Sequence, residues 1–150
     1  MNANLSIASP RPIDILLVDD DAGDALIAKK ALESGKILNS IYSVRDGIEA
    51  LAHLRNAQMP RPGLVLLDLN MPRMNGIEVM QEINKDDRLR HLVIVVLTSS
   101  KTDEDVLSSY QLRCNSYLVK PMGLDEFGTL VRALDQFWLR QAALPPGTRP

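Results

Sequence analysis

Leu64-Val65-Leu66-Leu67-Asp68-Leu69-Asn70-Met71-Pro72-Arg73-Met74-Asn75-Gly76 opens as an apolar run of strand length and closes as a loop. Such a run suits a strand buried on both faces. Asn70, Pro72, Asn75 and Gly76 then break the periodicity. Asp68 therefore stands at the carboxyl end of a buried strand, where open α/β sheets bind their ligands. A single Asp at that place could simply begin a turn. Its company decides the matter.

Upstream, Ile13–Val18 is apolar and rich in branched residues, and it runs into Asp19, Asp20 and Asp21. Three adjacent acids repel one another at a strand end unless a cation offsets them. Capping of the next helix by Asp21 or Asp20 accounts for one acid, not three. Ala22–Ser34 has helical spacing, with Ala25, Leu26, Ala28, Ala31 and Leu32 as its apolar positions and Gly35 closing it. Asn39–Val44 is a more polar strand, suited to a sheet edge. Asp46–Asn56 is a short helix with Asp46 as cap, and His53 within it reads as an ordinary surface or half-buried side chain.

Beyond the central stretch, Gly76–Asp86 returns to helical spacing through Ile77, Met80 and Ile83. Leu92–Leu97 is the most uniformly apolar strand, which argues for the sheet centre, and it empties into Thr98, Ser99 and Ser100. Thr102–Leu112 is a fourth helix, with Val106, Leu107 and Tyr110 on one side. Asn115–Val119 is a fifth strand ending at Lys120-Pro121. Leu124–Trp138 is a long amphipathic helix carrying Phe127, Leu130, Val131, Leu134 and Trp138 on one face.

Strand and helix alternate five times, which predicts an α/β fold: a (βα)5 doubly wound, parallel, five-stranded sheet with helices on both faces. All strand C-termini then share one edge, and that edge collects Asp19, Asp20, Asp68, Thr98 and Lys120. Clustered carboxylates without His or Cys partners call for a hard cation with oxygen ligands, and Mg²⁺ fits best. With Asp68 as nucleophile, and Lys120 and Thr98 gripping oxygens, the set suits an incoming phosphoryl group. Taken singly, Lys120 would be a solvated lysine and Thr98 a strand-end cap. Their coincidence on one edge is what makes a site.

The 150 residues predict one domain, with 1–12 as a flexible arm, 13–138 as the folded unit and 139–150 as a short tail without an output domain. Seventeen Lys+Arg against nineteen Asp+Glu leave a net charge of −2, with no basic excess to hold nucleic acid. The single Cys114 excludes an internal disulfide and reads as a small buried side chain. Neither a secretory start nor a membrane-length apolar run is present, so a cytoplasmic protein is expected, bound to no membrane.

The ordered set Val18-Asp19-Asp20, Asp68 through Gly76, Thr98-Ser99-Ser100 and Lys120-Pro121 closely resembles the receiver domain of two-component response regulators, over about residues 13–138. Ser109-Tyr110-Gln111-Leu112, Asn115-Ser116-Tyr117 and the stretch from Phe127 to Phe137-Trp138-Leu139 look like the stand-alone regulators paired with phytochrome-type histidine kinases. The resemblance implies a flavodoxin-like strand order 2-1-3-4-5. It also implies that Asp68 accepts a phosphoryl group from a phosphohistidine on the kinase. Asp20, Asp68 and the backbone carbonyl of Asn70 would ligate Mg²⁺, with Asp19 acting mostly through a bound water. Lys120 would bind a phosphoryl oxygen, its bond to Pro121 being cis. Thr98 would swing toward the phosphoryl group, and Tyr117 would turn inward behind it. Asn70 and Ser100 would flank the approach of water and tune the phosphoryl lifetime.

On that resemblance the protein is a signalling phosphoacceptor rather than an enzyme, with self-catalysed phosphoryl uptake and slow autodephosphorylation as its only chemistry. Asp21 is left as a helix cap, and Asp24 as a solvated side chain or a kinase contact. Output must pass through a surface. Adjacent Phe137 and Trp138 cannot both face the core of one helix, so they and Tyr110 are interface candidates. A homodimer through the fourth helix, fifth strand and fifth helix is expected, with a downstream phosphotransfer protein as a further partner. An Asp-nucleophile phosphatase would need a second Asp where Asn70 stands. A flavodoxin-like cofactor binder would need a phosphate loop where three acids stand. A plain interaction module would be indifferent to loss of the Asp68 carboxylate.

Overall fold

Five parallel strands form one sheet in the order β2-β1-β3-β4-β5: β1 (Asp14–Val18), β2 (Ser40–Val44), β3 (Leu64–Leu67), β4 (Ile94–Thr98) and β5 (Ser116–Val119). The computed structural model describes residues 13–34, 40–141 and 143–145, with the backbone alone for 139–141. The expected N-terminal arm, the closing Gly35, the first residue of the second strand and the end of the tail lie outside the described residues. Five helices follow the strands in turn: α1 (Ala22–Glu33), α2 (Gly47–Arg55), α3 (Gly76–Lys85), α4 (Asp103–Gln111) and α5 (Leu124–Leu134). No described helix is long and apolar enough to cross a membrane.

The uninterrupted apolar strands are explained by what lies on either side of them. On one face Leu16, Val18, Val65, Leu67, Ile94 and Val96 pack against Leu51 and Leu54 of α2 and Val79, Met80 and Ile83 of α3. On the other, Ile15, Leu17, Leu64, Leu66, Val95 and Leu97 meet Ala28 and Leu32 of α1 and Phe127, Val131 and Leu134 of α5. Side chains alternate between the faces of a strand, so β1, β3 and β4 need apolar residues at every position. Each such side chain contributes about 1.5–3 kcal/mol by leaving water.

Two placements correct the sequence reading. The sheet centre is β3, with β4 one strand nearer the edge; an apolar run reports burial on both faces, which every interior strand shares. Leu26, expected on the apolar side of α1, is 53% exposed. Also, α5 keeps α-helical geometry only to Leu134 and continues as a π-helical segment, Asp135–Gln141. There Trp138 is half-buried against the second core while Phe137 stays exposed, the two rings meeting edge-on at 5.2 Å.

Register fixes the site. Val18 pairs with Leu67, and Thr98 with Val119. Asp19 and Asp68 therefore leave adjacent strands side by side, and Lys120 emerges beside Thr98. The ladder extends one step past the strands: the Asp68 amide donates to the Val18 carbonyl (2.9 Å) and the Lys120 amide to the Thr98 carbonyl (2.8 Å).

Candidate functional site

The loop after Asp68 is held from behind. Asn75 caps α3, accepting from the Glu78 amide at 2.9 Å, and the Glu78 carboxylate accepts from the Asn75 amide at 3.1 Å. This reciprocal capping box fixes where the helix begins. Gly76 then packs against the backbone of Asp68: a Cβ there would lie 2.5 Å from the Asp68 carbonyl oxygen. The loop is also tied to α2. The Gly47 amide donates to the Met74 carbonyl at 3.0 Å, and the Arg73 guanidinium binds the buried carboxylate of Asp46, the α2 cap. Arg73 makes this bond from the left-handed conformation, φ 64°. Burying the Asp46 carboxylate is thereby compensated: backbone donation from Glu49 first, and Arg73 besides, hold its carboxyl below the ordinary range.

At the sheet edge, the Lys120 ammonium lies 2.6 Å from Asp19 Oδ2, 3.0 Å from Asp24 Oδ2 and 3.2 Å from Asp68 Oδ2. The side chains of Lys120, Asp19 and Asp68 are 7%, 5% and 8% exposed. Burial drives the Asp19 carboxyl up to about 6, with Lys120 and the Asp21 amide opposing it. Burial likewise disfavours the charged form of Lys120, but its carboxylate partners prevail and hold it above the usual lysine range. One oxygen from each of Asp19, Asp20 and Asp68 lies within 4.8 Å of the others. That is close to the span of about 4.2 Å across a Mg²⁺-sized octahedral shell of oxygens. The donors present therefore fit a hard divalent cation, with the exposed Asp20 on the open side.

Thr98 is fully buried, and its Oγ1 accepts from the Ser100 amide at 3.4 Å. Ser100 is held on two sides. Its hydroxyl donates to Asp105 of α4, and its carbonyl accepts from the Tyr117 hydroxyl at 2.8 Å. Tyr117 is half-buried against the first core, and burial foremost raises its phenol above the ordinary range.

The structure thus brings together Asp19, Asp20, Asp68 and Lys120, and it links Thr98, Ser100 and Tyr117 in a second network. Asn70 is exposed, its amide 3.4 Å from Asp68 Oδ1. Tyr110 and Phe137 are exposed and Trp138 is half-buried, all remote in the chain from these acids. The expected cis Lys120–Pro121 bond is corrected: no cis peptide occurs among the described residues. Lys120 reaches all three acids with the trans bond, which X–Pro sequences prefer by about 0.5–1 kcal/mol. Asp24 is the member that sequence reasoning missed. Its only signal was position, one turn into a helix that starts at the site.

Residues 15–132 match the response regulator receiver domain family. Response regulator Rcp1 of Synechocystis sp. is 37% identical over 145 residues, covering 94% of this chain and 99% of its own length. The crystal structure of the Mn²⁺-bound form of Rcp1 superposes with a TM-score of 0.87 at 37% identity, over 90% of this chain and 100% of that one. The phosphorylated cyanobacterial phytochrome response regulator RcpA gives 0.85 at 38% identity, over 90% of this chain and 99% of that one.

Proposed function

Because the chain belongs to the response regulator receiver domain family, we propose that Asp68 accepts a phosphoryl group from a phosphohistidine on a phytochrome-type histidine kinase. The observation that carries this reading is the single ammonium, Lys120, shared by Asp19 and Asp68 on an edge that also presents Asp20. An Asp68 carboxylate oxygen attacks phosphorus, forming an O–P bond as the N–P bond to the donor imidazole breaks. The electron pair of that bond leaves with the imidazole nitrogen.

Asp19, Asp20 and Asp68, with the Asn70 carbonyl, would hold Mg²⁺, which neutralises charge on the transferring group. Lys120 offers its N–H donors to a phosphoryl oxygen. Thr98, released from the Ser100 amide, turns its hydroxyl to another, and the Ser100–Tyr117 bond couples that movement to β5. Asn70 and Ser100 flank the approach of water and set how long the acyl phosphate lasts. Leu107 and Tyr110 of α4, Val119 of β5 and Phe137 beyond α5 are all exposed, which supports a homodimer through these elements.

Intact mass after incubation with acetyl phosphate tests the chemistry. A gain of one phosphoryl mass that needs both Mg²⁺ and the Asp68 carboxylate is expected. No gain in the folded protein, from acetyl phosphate or from any of a panel of phytochrome-type kinases, overturns it. Light-scattering chromatography on dilution tests the dimer, and a monomer with and without phosphorylation refutes it.

A further inference from the structure

Lys120 has three ammonium donors, and three carboxylates surround it: Asp19, Asp24 and Asp68. Two of them are committed. Asp19 is 5% exposed and would be left buried without its counter-charge, while Asp68 is the acceptor itself. Asp24 is different. Its side chain is 33% exposed, so water can replace the ammonium at little cost. It is delivered by the first turn of α1, where the Asp21 cap accepts from the Asp24 amide at 2.9 Å.

We propose that Asp24 is a positioning residue that draws the Lys120 ammonium away from Asp68, limiting how tightly Lys120 grips a phosphoryl oxygen there. The inference rests on the receiver reading above. Anions that share one cation weaken each other's hold on it, and Asp24 is the one sharer that neither the fold nor the chemistry obliges to stay. Its removal concentrates Lys120 on the oxygens at Asp68. The carboxylate thus lowers the stability of the phosphorylated form and shortens its life.

The test is the affinity for beryllofluoride at saturating Mg²⁺, measured for the wild type and for Asp24→Asn, Asp24→Glu, Asp21→Asn and Asp68→Asn. Asp24→Asn should bind about two- to fivefold more tightly, the range of a partly exposed ion pair. Asp24→Glu should return toward the wild type. Asp21→Asn removes the same charge from the same turn but keeps the cap, and it should stay near the wild type. In the metal-free protein, nitrogen NMR should show the Lys120 ammonium exchanging faster with water in Asp24→Asn. An unchanged affinity in Asp24→Asn, or an equal gain in Asp21→Asn, overturns the proposal, the latter by assigning the effect to charge at large. If folded wild type binds beryllofluoride no better than Asp68→Asn, the receiver reading itself fails, and the proposal falls with it.

Discussion

Lys120 answers three carboxylates with one positive charge, and Asp20 adds a fourth acid to the same edge. At rest these side chains are held against their own repulsion. Asp68→Asn removes one like charge and should stabilise the metal-free protein by about 1 kcal/mol. Mg²⁺ should narrow that gap, since the wild type gains more from a cation that binds only the folded state. Lys120→Met is the opposite case, leaving buried carboxylates uncompensated, and should cost about 3 kcal/mol. Thermal denaturation with and without Mg²⁺ measures all three. His53 permits a separate test. It packs on Tyr42 at 5.1 Å, and burial holds its imidazole below the ordinary 6.5, with Asp14 opposing. As pH falls through that ordinary value, the unfolded chain takes up the proton first, so the fold loses stability toward acid. Between about pH 7.5 and about pH 5.5, His53→Gln should lose less stability than the wild type in urea titrations. Of the residues in the cluster, the acids at strand ends could be read from the sequence, because a strand end fixes where its next residue lies. Asp24 could not, because its reach depends on where α1 begins and which way its first turn faces.

At the scale of elements, α4 ends in a Schellman motif: the Cys114 amide donates to Ser109 and the Arg113 amide to Tyr110, both at 3.0 Å. The left-handed position is held by Arg113, φ 72°, where glycine has no Cβ to clash. Arg113→Gly should therefore stabilise the fold by up to about 1 kcal/mol, read as a shifted urea midpoint with unchanged slope. Asn84 of α3 fastens the same terminus, donating to the Leu112 carbonyl at 2.7 Å and to Met80 at 2.9 Å. Gly76→Ala places a Cβ 2.5 Å from the Asp68 carbonyl, and should cost about 1–3 kcal/mol while displacing Asp68. Acetyl phosphate uptake should fall in that variant even where it remains folded. The strands and most helix starts were legible because each has a local cause: an apolar run, or a capping Asp21, Asp46, Asn75 or Thr102. The widening after Leu134 was not, since Trp138 keeps the apolar spacing that Leu134 begins and packs on the second core although the pitch has changed.

For the whole molecule, the sheet is a wall between two cores, each closed by two helices, with α4 lying more loosely over the first. The amides of β1, β3 and β4 should exchange with solvent hydrogen most slowly, and those of β2 and β5, each paired on one side only, sooner. Peptide-resolved hydrogen exchange would show this order. Nothing in the local sequence of β5 announces that edge position; it follows from strand order, a property of the assembled sheet. Lys120 follows Asp68 by 52 positions and Asp19 by 101. A nascent chain therefore displays its acids long before the one ammonium they share. Until β5 docks, those acids repel one another with no Lys120 ammonium between them. On the proposed function, competence to take up a phosphoryl group would arrive only with completion of the sheet, and half-made copies would be mute.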